Sequence, residues 1–206
     1  VGRVQVSGTP VEMYQVGNRV FMLLNNWHGY YGSRTDVMPA AYQGGLVMVV
    51  DISNPALPKV TGRAQVPGWI QSSRLTRGNN QEALFVVASD YNQTTSQQET
   101  VVKSFSVSSL GKLAPASQIG LGGYVTAIQA TPDHLLVARH NWNRNNNTNN
   151  GSDVSVIDIT NPNGTMIEGA SVQVKGYVSN KFNMDVHENV LRVVSGNSWR
   201  GTRNTN

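Results

Sequence analysis

A three-residue step recurs along this chain and constrains its fold more than any other feature. A glycine is followed by an aromatic and then an aliphatic residue at Gly68-Trp69-Ile70, Gly123-Tyr124-Val125 and Gly176-Tyr177-Val178, so successive steps lie 55 and 53 residues apart. Self-similarity at a fixed period of this length is the signature of tandem supersecondary units. A β-sandwich also contains many short strands, but nothing in that fold requires one tripeptide to recur at a constant interval.

Short apolar runs accompany every step and predict strands. They are bounded by Gly, Pro, Asn and Ser, and no window of eleven residues keeps helical spacing. The runs are Ala83–Ser89, His134–His140 and Val190–Gly196 as second strands, Leu46–Ile52, Val101–Val107 and Val154–Ile159 as third strands, and Gly62–Val66, Ala116–Gly120 and Ala170–Val174 as fourth strands.

Four strands per repeat of this length are typical of propeller blades. We predict an all-β propeller with about three and a half four-stranded blades, at residues 11–66, 69–120, 124–174 and, incomplete, 177–206. Val1–Val6 is predicted to be the last strand of a preceding blade. Since an open propeller would leave long edges unpaired, residues 1–206 are expected to be a fragment of one larger domain that needs further blades.

A second motif recurs at the end of the third strand. Asp51-Ile52-Ser53-Asn54-Pro55 and Asp158-Ile159-Thr160-Asn161-Pro162 occupy the same place in two predicted blades. Asx side chains cap turns and proline ends strands, so we predict a blade-closing turn. The alternative is an aspartate cluster for a metal.

The incomplete fourth blade, which begins with the third glycine-aromatic step, resembles the secreted β-propeller domain proteins of bacteria and archaea. The resemblance is strongest in residues 176–195 and looser elsewhere. The matching residues are Gly176, Tyr177, Val178, Asn180, Phe182, Asn183, Met184, Asp185, Leu191, Arg192 and Val193. His187-Glu188-Asn189 departs from the family's acidic-aromatic, glycine-containing turn, which affects a turn and not the fold. The resemblance implies export and the propeller fold, and it implies no reaction.

Composition excludes several classes of function. The net charge is +4, but the sixteen Lys and Arg residues are spread along the chain with no run of three, whereas a nucleic-acid groove needs clustered cations. The absence of Cys excludes disulfides, and no apolar run reaches the ~20 residues of a membrane span. A polar surface with 22 Asn and few charges favours a secreted, periplasmic or cell-surface location.

One end of the predicted blades collects the residues that suit a ligand. Connections alternate between the two ends of a meander, so all loops between second and third strands emerge together with the glycine-aromatic steps. Aromatic rings with nearby amide and guanidinium donors suit sugars. The alternative is that each ring folds back between blades. The predicted binding face consists of Trp27, His28, Tyr30, Tyr91, Arg139, His140, Trp142, Trp199 and Arg200.

Catalytic and metal motifs are missing from the sequence. His28 and His140 could share a metal with Asp36, Asp90 or Asp153, but no H-x-H or H-E-x-x-H spacing supports such a site. A Ca²⁺ site of Asp and Asn oxygens is chemically allowed, although no D-x-D-x-D-G loop occurs. We therefore predict no catalytic residue and no cofactor.

Three hypotheses about function follow. The first is a non-catalytic extracellular or envelope module that binds a glycan or protein through the loop face, or scaffolds such a partner. The second is an enzyme whose central-channel site is completed by further blades of the same protein. The third is a structural subunit of a surface layer or appendage.

Overall fold

The computed structural model describes residues 2–26, 44–78, 81–92, 94–108, 111–140, 151–196 and 203–204. Within these ranges the regular structure is β apart from a 3-10 turn at Lys181–Asn183. Three antiparallel sheets have four strands each, in chain order. They contain β1 (Thr9–Val16), β2 (Arg19–Asn26), β3 (Gly44–Asp51) and β4 (Lys59–Val66); β5 (Trp69–Gly78), β6 (Gln81–Asn92), β7 (Gln97–Val107) and β8 (Leu113–Gly122); and β9 (Tyr124–Ala130), β10 (His134–His140), β11 (Gly151–Asp158) and β12 (Ile167–Lys175).

Two shorter sheets follow the third one. β13 (Met184–His187) pairs with β14 (Val190–Val193), and β15 (Ser195–Gly196) pairs with β16 (Arg203–Asn204). The turn between β13 and β14 is formed by Glu188 and Asn189, with φ of 50° and 61°. Two central residues in the left-handed region are typical of a type I′ hairpin turn.

The second sheet is buried on both faces. Side chains of a strand point alternately to its two faces, and in β6 Leu84 and Val86 enter a core shared with the first sheet. Their neighbours Phe85 and Val87 enter a core shared with the third sheet. Sheets that pack in series in this way are propeller blades, so the predicted all-β propeller is confirmed, and the sheets form an open arc.

The repeated glycines occupy equivalent positions. Gly68, Gly123 and Gly176 have φ of 72°, 87° and 83° and follow the outer strands β4, β8 and β12 within two residues. The chain reverses there toward the next sheet, in a conformation that only glycine adopts without strain. The aliphatic member of each step is buried in the core that it shares with the preceding sheet. Ile70, Val125 and Val178 are at most 4% exposed.

Residues 2–7 belong to no described sheet, and the role of Val1–Val6 as the last strand of a preceding blade stays a prediction. A strand needs a hydrogen-bonded neighbour, and the described residues offer none on that side of the first sheet. Val4 and Val6 instead pack on the sheet's outer face, against an apolar cluster formed by Leu24, Leu46, Met48 and Val50. The apolar residues of this segment are thus half-buried against the first sheet without a backbone partner in it.

The single strand predicted over Val190–Gly196 is wrong, because the chain there divides into β14 and β15. Val194 N–H donates to the Asn183 carbonyl over 2.8 Å, and Tyr177 and Gly196 exchange two backbone bonds of 2.7 and 3.0 Å. Asn183 belongs to the 3-10 turn, so this local turn captures the backbone group that a continuous strand would have used.

The predicted blade-closing turns are Asx turns. Asp51 Oδ1 accepts the Ser53 N–H over 2.8 Å, and Asp158 Oδ1 accepts the Thr160 N–H over the same distance. These backbone hydrogen bonds favour the ionised carboxylate and lower the pKa of Asp51 and of Asp158. In the described residues these aspartates therefore act as caps.

Candidate ligand-binding face

The register places the glycine-aromatic steps and the connections between second and third strands at one end of the sheets. Trp69 lies opposite Ser89 near the end of β6, Tyr124 lies opposite His140 at the end of β10, and Tyr177 bridges to Gly196. We call this end of the three sheets and of the segment after them the loop end.

The structure describes three of the nine predicted binding residues. Tyr91 lies on β6 and is 42% exposed, whereas Arg139 and His140 end β10 and are each only 7% exposed. The two basic side chains therefore lie inside the fold and not on an open loop. The other six lie outside the described residues: Trp27, His28, Tyr30, Trp142, Trp199 and Arg200.

Arg139 joins the third sheet to the end of the second. Its Nη1 donates to the Gly122 carbonyl and its Nη2 donates to Ser155 Oγ over 2.9 Å. Gly122 directly precedes the second glycine-aromatic step, so the guanidinium holds the backbone from which Tyr124 projects. Burial lowers the pKa of Arg139, and the negative charges of Asp153 and Glu168 partly oppose that change.

His140 is packed between the third sheet and the segment that follows it. Its Nδ1 lies 3.1 Å from the Gly151 carbonyl, and since a carbonyl only accepts, Nδ1 carries the proton of that bond. The imidazole also contacts the ring of Tyr177, with the centroids 4.8 Å apart. At this position the aromatic ring of a step packs against a side chain of the preceding sheet.

A more open arrangement lies on the hairpin of β6 and β7. Tyr91 is directly opposite Gln98, and on the other side of β7 the Gln98 carbonyl accepts the Gly123 N–H over 3.1 Å. Tyr124, the next residue, is 40% exposed. Adjacent strands are ~4.8 Å apart, so the backbones of Tyr91 and Gly123 are roughly 10 Å apart.

The tip of this hairpin is held by local hydrogen bonds. Asn92 Oδ1 accepts the N–H groups of Thr94 and Thr95 over 3.0 and 3.1 Å, and Asp90 Oδ1 accepts the Tyr91 N–H over 2.9 Å. A side chain on a capped hairpin presents its ring with little conformational freedom to lose on binding.

Tyr124 was not among the predicted binding residues. The sequence signal was present, because Tyr124 is the aromatic member of a repeated step at the loop end. Its exposure could not be inferred from the pattern, since the equivalent Trp69 and Tyr177 are half-buried.

Buried polar side chains attach each step to the preceding sheet. Asn25 Nδ2 donates to the Ile70 carbonyl over 2.8 Å, and its Oδ1 accepts the Ile70 N–H over 2.9 Å. Thr100 Oγ1 donates to the Gly123 carbonyl over 2.8 Å. Ser152 Oγ donates to the Gly176 carbonyl and accepts the Val178 N–H, over 3.1 and 3.0 Å. We call Asn25, Thr100 and Ser152 the latch residues.

The latch residues explain how the loop end keeps its geometry. All three are at most 1% exposed, and they bond backbone groups at the junctions between blades that no strand of the next sheet satisfies. Buried backbone groups need such partners, so the position of each step is set by a side chain of the previous blade.

A separate polar network connects the first strands of the first two sheets. Tyr14 OH donates to the Ser73 carbonyl over 2.9 Å, and Glu12 accepts hydrogen bonds from Ser72 Oγ and Ser73 Oγ. Burial is the main cause that raises the pKa of Tyr14 above its ordinary value of 10.0; the hydrogen bond with Ser73 opposes this change, and the Glu12 charge adds to it.

The Tyr14 network predicts a loss of stability in alkali. Because the pKa of Tyr14 is higher in the folded state than in the unfolded state, its neutral phenol stabilises the fold. That stabilisation is complete at pH values below the unfolded pKa and is lost as the pH rises through the folded pKa. We expect the urea midpoint of the wild-type chain to fall more between about pH 8 and about pH 10.5 than that of Tyr14→Phe. Tyr124→Phe, which changes an exposed ring, is the matched control and should follow the wild type. Equal falls for the wild type and Tyr14→Phe would contradict the prediction.

In the described ranges no three His, Cys, Asp or Glu side chains are close enough to form a metal site. None of the helical structure in the same ranges is long and apolar enough to cross a membrane.

The sheets and the steps between them define the class of this protein. Four-stranded antiparallel sheets that pack in series, each entered by a left-handed glycine, are the blades of a β-propeller. The family model for the beta propeller domain matches residues 1–206, and the chain belongs to that family. No curated protein matches the chain.

Proposed function

We propose that this propeller is a non-catalytic binding module of the cell exterior or envelope, and that its loop end binds an extended glycan. The observation that carries the proposal is the pair Tyr91 and Tyr124, which are 42% and 40% exposed on neighbouring segments of that end. Exposed aromatic faces are unfavourable in water, and they stack well on the apolar faces of sugar rings.

The surroundings of the pair suit a neutral, hydroxyl-rich ligand. Gln98 lies between Tyr91 and Gly123 in the cross-strand row and is exposed, and Gln97 and Thr95 are exposed on the same hairpin. Amide and hydroxyl groups both donate and accept hydrogen bonds, as sugar hydroxyls require. The spacing of roughly 10 Å that two strand separations produce favours a ligand longer than one ring.

Export also belongs to this proposal. The support is compositional. Only 14% of the residues are charged, whereas the chain has 22 Asn, so its polar residues are largely neutral amides and hydroxyls. Trp27, Trp142 and Trp199 are expected to extend the binding face, and their replacement is the second part of the test.

Replacement of the two tyrosines tests the proposal. We expect Tyr91→Ala and Tyr124→Ala each to weaken binding to a polysaccharide panel by about tenfold, because a stacked ring contributes roughly 1–1.5 kcal/mol. The double replacement of Trp27 and Trp142 should abolish binding. Affinity is measured by glycan array and by affinity electrophoresis.

Phe182→Ala is the matched control, since Phe182 is an aromatic residue of the 3-10 turn, outside the β6–β7 hairpin, and is 81% exposed; its removal should leave binding unchanged. Full affinity in both tyrosine variants would refute the site. Binding that is retained only for a protein ligand would replace the glycan by a protein partner.

A further inference from the structure

Three of the six methionines of this chain lie in one row across the first sheet. Met13 on β1 is directly opposite Met22 on β2, and Met22 is directly opposite Met48 on β3. Directly opposite residues of antiparallel strands point to the same face of the sheet, with their β-carbons about 4.5–5.5 Å apart. The three side chains therefore leave one face side by side, with Met22 in the middle. We call them the methionine row.

The methionine row runs from solvent into the apolar interior. Met13 is 67% exposed, Met22 is half-buried and Met48 is 2% exposed. Met22 and Met48 belong to the apolar cluster on the face turned away from the second sheet. A cavity of about 260 Å³ on the same face is lined in part by Met48, Leu24 and Leu46, and it gives the Met48 side chain room to turn. The row thus has an entrance at Met13 and an enclosed end at Met48.

The chemistry of the row suits a soft metal ion. Thioether sulfur is a soft, uncharged ligand of the kind that selects Cu(I). The row contains no His, Cys, Asp or Glu, which are the side chains that hold Zn²⁺ and Ca²⁺. Methionine is unbranched and has three rotatable bonds, so Met13 and Met48 can lean toward Met22 from either side.

The charges around the row favour a monovalent ion. Arg63 lies directly opposite Met48 on β4, on the side away from Met22, and is exposed. Its guanidinium repels a divalent ion twice as strongly as a monovalent one at the same distance. Apolar neighbours also make the loss of hydration expensive for a highly charged ion.

We propose that the methionine row binds one Cu(I) ion through its three thioether sulfur atoms. The neutral ligands leave the ion with a single positive charge, and the apolar cluster shields the enclosed end from water. The site lies on the first sheet, whereas Tyr91 and Tyr124 belong to the second and third sheets, so it does not depend on the proposed glycan site.

Titration of the purified chain with silver nitrate in a chloride-free buffer tests the site. Silver(I) is a soft ion that stands in for Cu(I) without a reductant, and the chain has no Cys that would compete. We expect the isotope-labelled methyl signals of Met13, Met22 and Met48 to shift together in NMR spectra and to saturate at about one ion per chain. The signals of Met166 and Met184 should stay. Shifts that are absent, or confined to Met13, would refute the site.

Two other ions test the selectivity of the site. Cu(I), kept reduced by ascorbate without oxygen, should produce shifts of the same three methyl signals and displace silver. Zn²⁺ should shift none of them, because it prefers nitrogen, oxygen and thiolate ligands. Shifts of the row with Zn²⁺, or no shift with Cu(I), would overturn the assignment to a soft ion.

Variants assign the affinity to the row. Met13→Leu and Met22→Leu should each weaken silver binding at least about tenfold, since the loss of even an outer-shell partner costs about 10–100-fold in metal affinity. Leucine largely conserves the volume of methionine, and Met13→Leu changes an exposed residue, so that variant decides the matter if Met22→Leu does not fold. Met166→Leu, in the core between the second and third sheets, should bind as the wild type does. Wild-type affinity in Met13→Leu, or an equal loss in Met166→Leu, overturns the proposal.

Discussion

Replacement of Gly68 by alanine is expected to lower the free energy of unfolding by about 4 kcal/mol. Gly68 has a φ of +72°, where an L-residue costs about 1–2 kcal/mol. A β-carbon there would also lie 2.3 Å from the Ser89 carbonyl oxygen and 2.8 Å from Asp90 Cβ. The oxygen belongs to the backbone of β6, so relief requires a strand to move, and overpacking of this kind costs typically about 1–3 kcal/mol more.

Gly122→Ala is the matched control for this prediction. Gly122 also lies at the boundary between two sheets, but its β-carbon would meet nothing within 4 Å and its φ is not in the left-handed region. We expect its free energy of unfolding to stay within about 0.5 kcal/mol of the wild-type value. Both variants are measured by urea unfolding. A Gly68→Ala chain as stable as Gly122→Ala would mean that the step does not set the approach of one blade to the next.

Replacement of Asn25 by leucine is expected to cost about 3 kcal/mol. Asn25 is 1% exposed, and its amide bonds both backbone groups of Ile70, over 2.8 and 2.9 Å. Leucine has a similar volume, so packing is largely kept, but two buried backbone groups of the second sheet lose their partners. Each unsatisfied group costs about 1–3 kcal/mol. Urea unfolding of the purified variant measures the effect.

Thr100→Val serves as the graded comparison for Asn25→Leu. Thr100 makes one bond to the next step, to the Gly123 carbonyl, so its loss should cost about half as much as the loss of Asn25. Asn18→Leu, at an exposed turn residue, should have little effect. Equal stability of Asn25→Leu and Asn18→Leu would exclude the latch as a determinant of blade position.

The fold was predictable because its repeat consists of residue types, such as glycine at a positive φ, that occur in few local structures. Gly68, Gly123 and Gly176 mark the same left-handed position in their units, and the continuous apolar runs of β6 and β10 indicate strands that are buried on both faces. The turns at Asp51 and Asp158 were predicted for a similar reason, since an Asx cap is a local interaction.

The candidate site was predicted less completely. Tyr91 was identified from its loop position, and Tyr124 was overlooked although it carries the repeated motif. Arg139 and His140 were placed on a binding face, whereas the structure buries both at the end of β10. Whether a residue at the end of a strand faces water depends on the neighbouring blade, and a neighbouring blade is ~50 residues away in the chain.

The amino-acid sequence by itself determined the class of this protein, because glycine spacing, strand patterning and turn caps are local or periodic properties. Tertiary structure alone decided which polar side chains became latches and which aromatic rings stayed in water. Asn25, Thr100 and Ser152 look like ordinary polar residues in the sequence, and each bonds a backbone group of the following repeat. That role arises because a blade junction is buried. Water cannot reach the backbone groups there, so a single side-chain hydrogen bond decides whether they are satisfied.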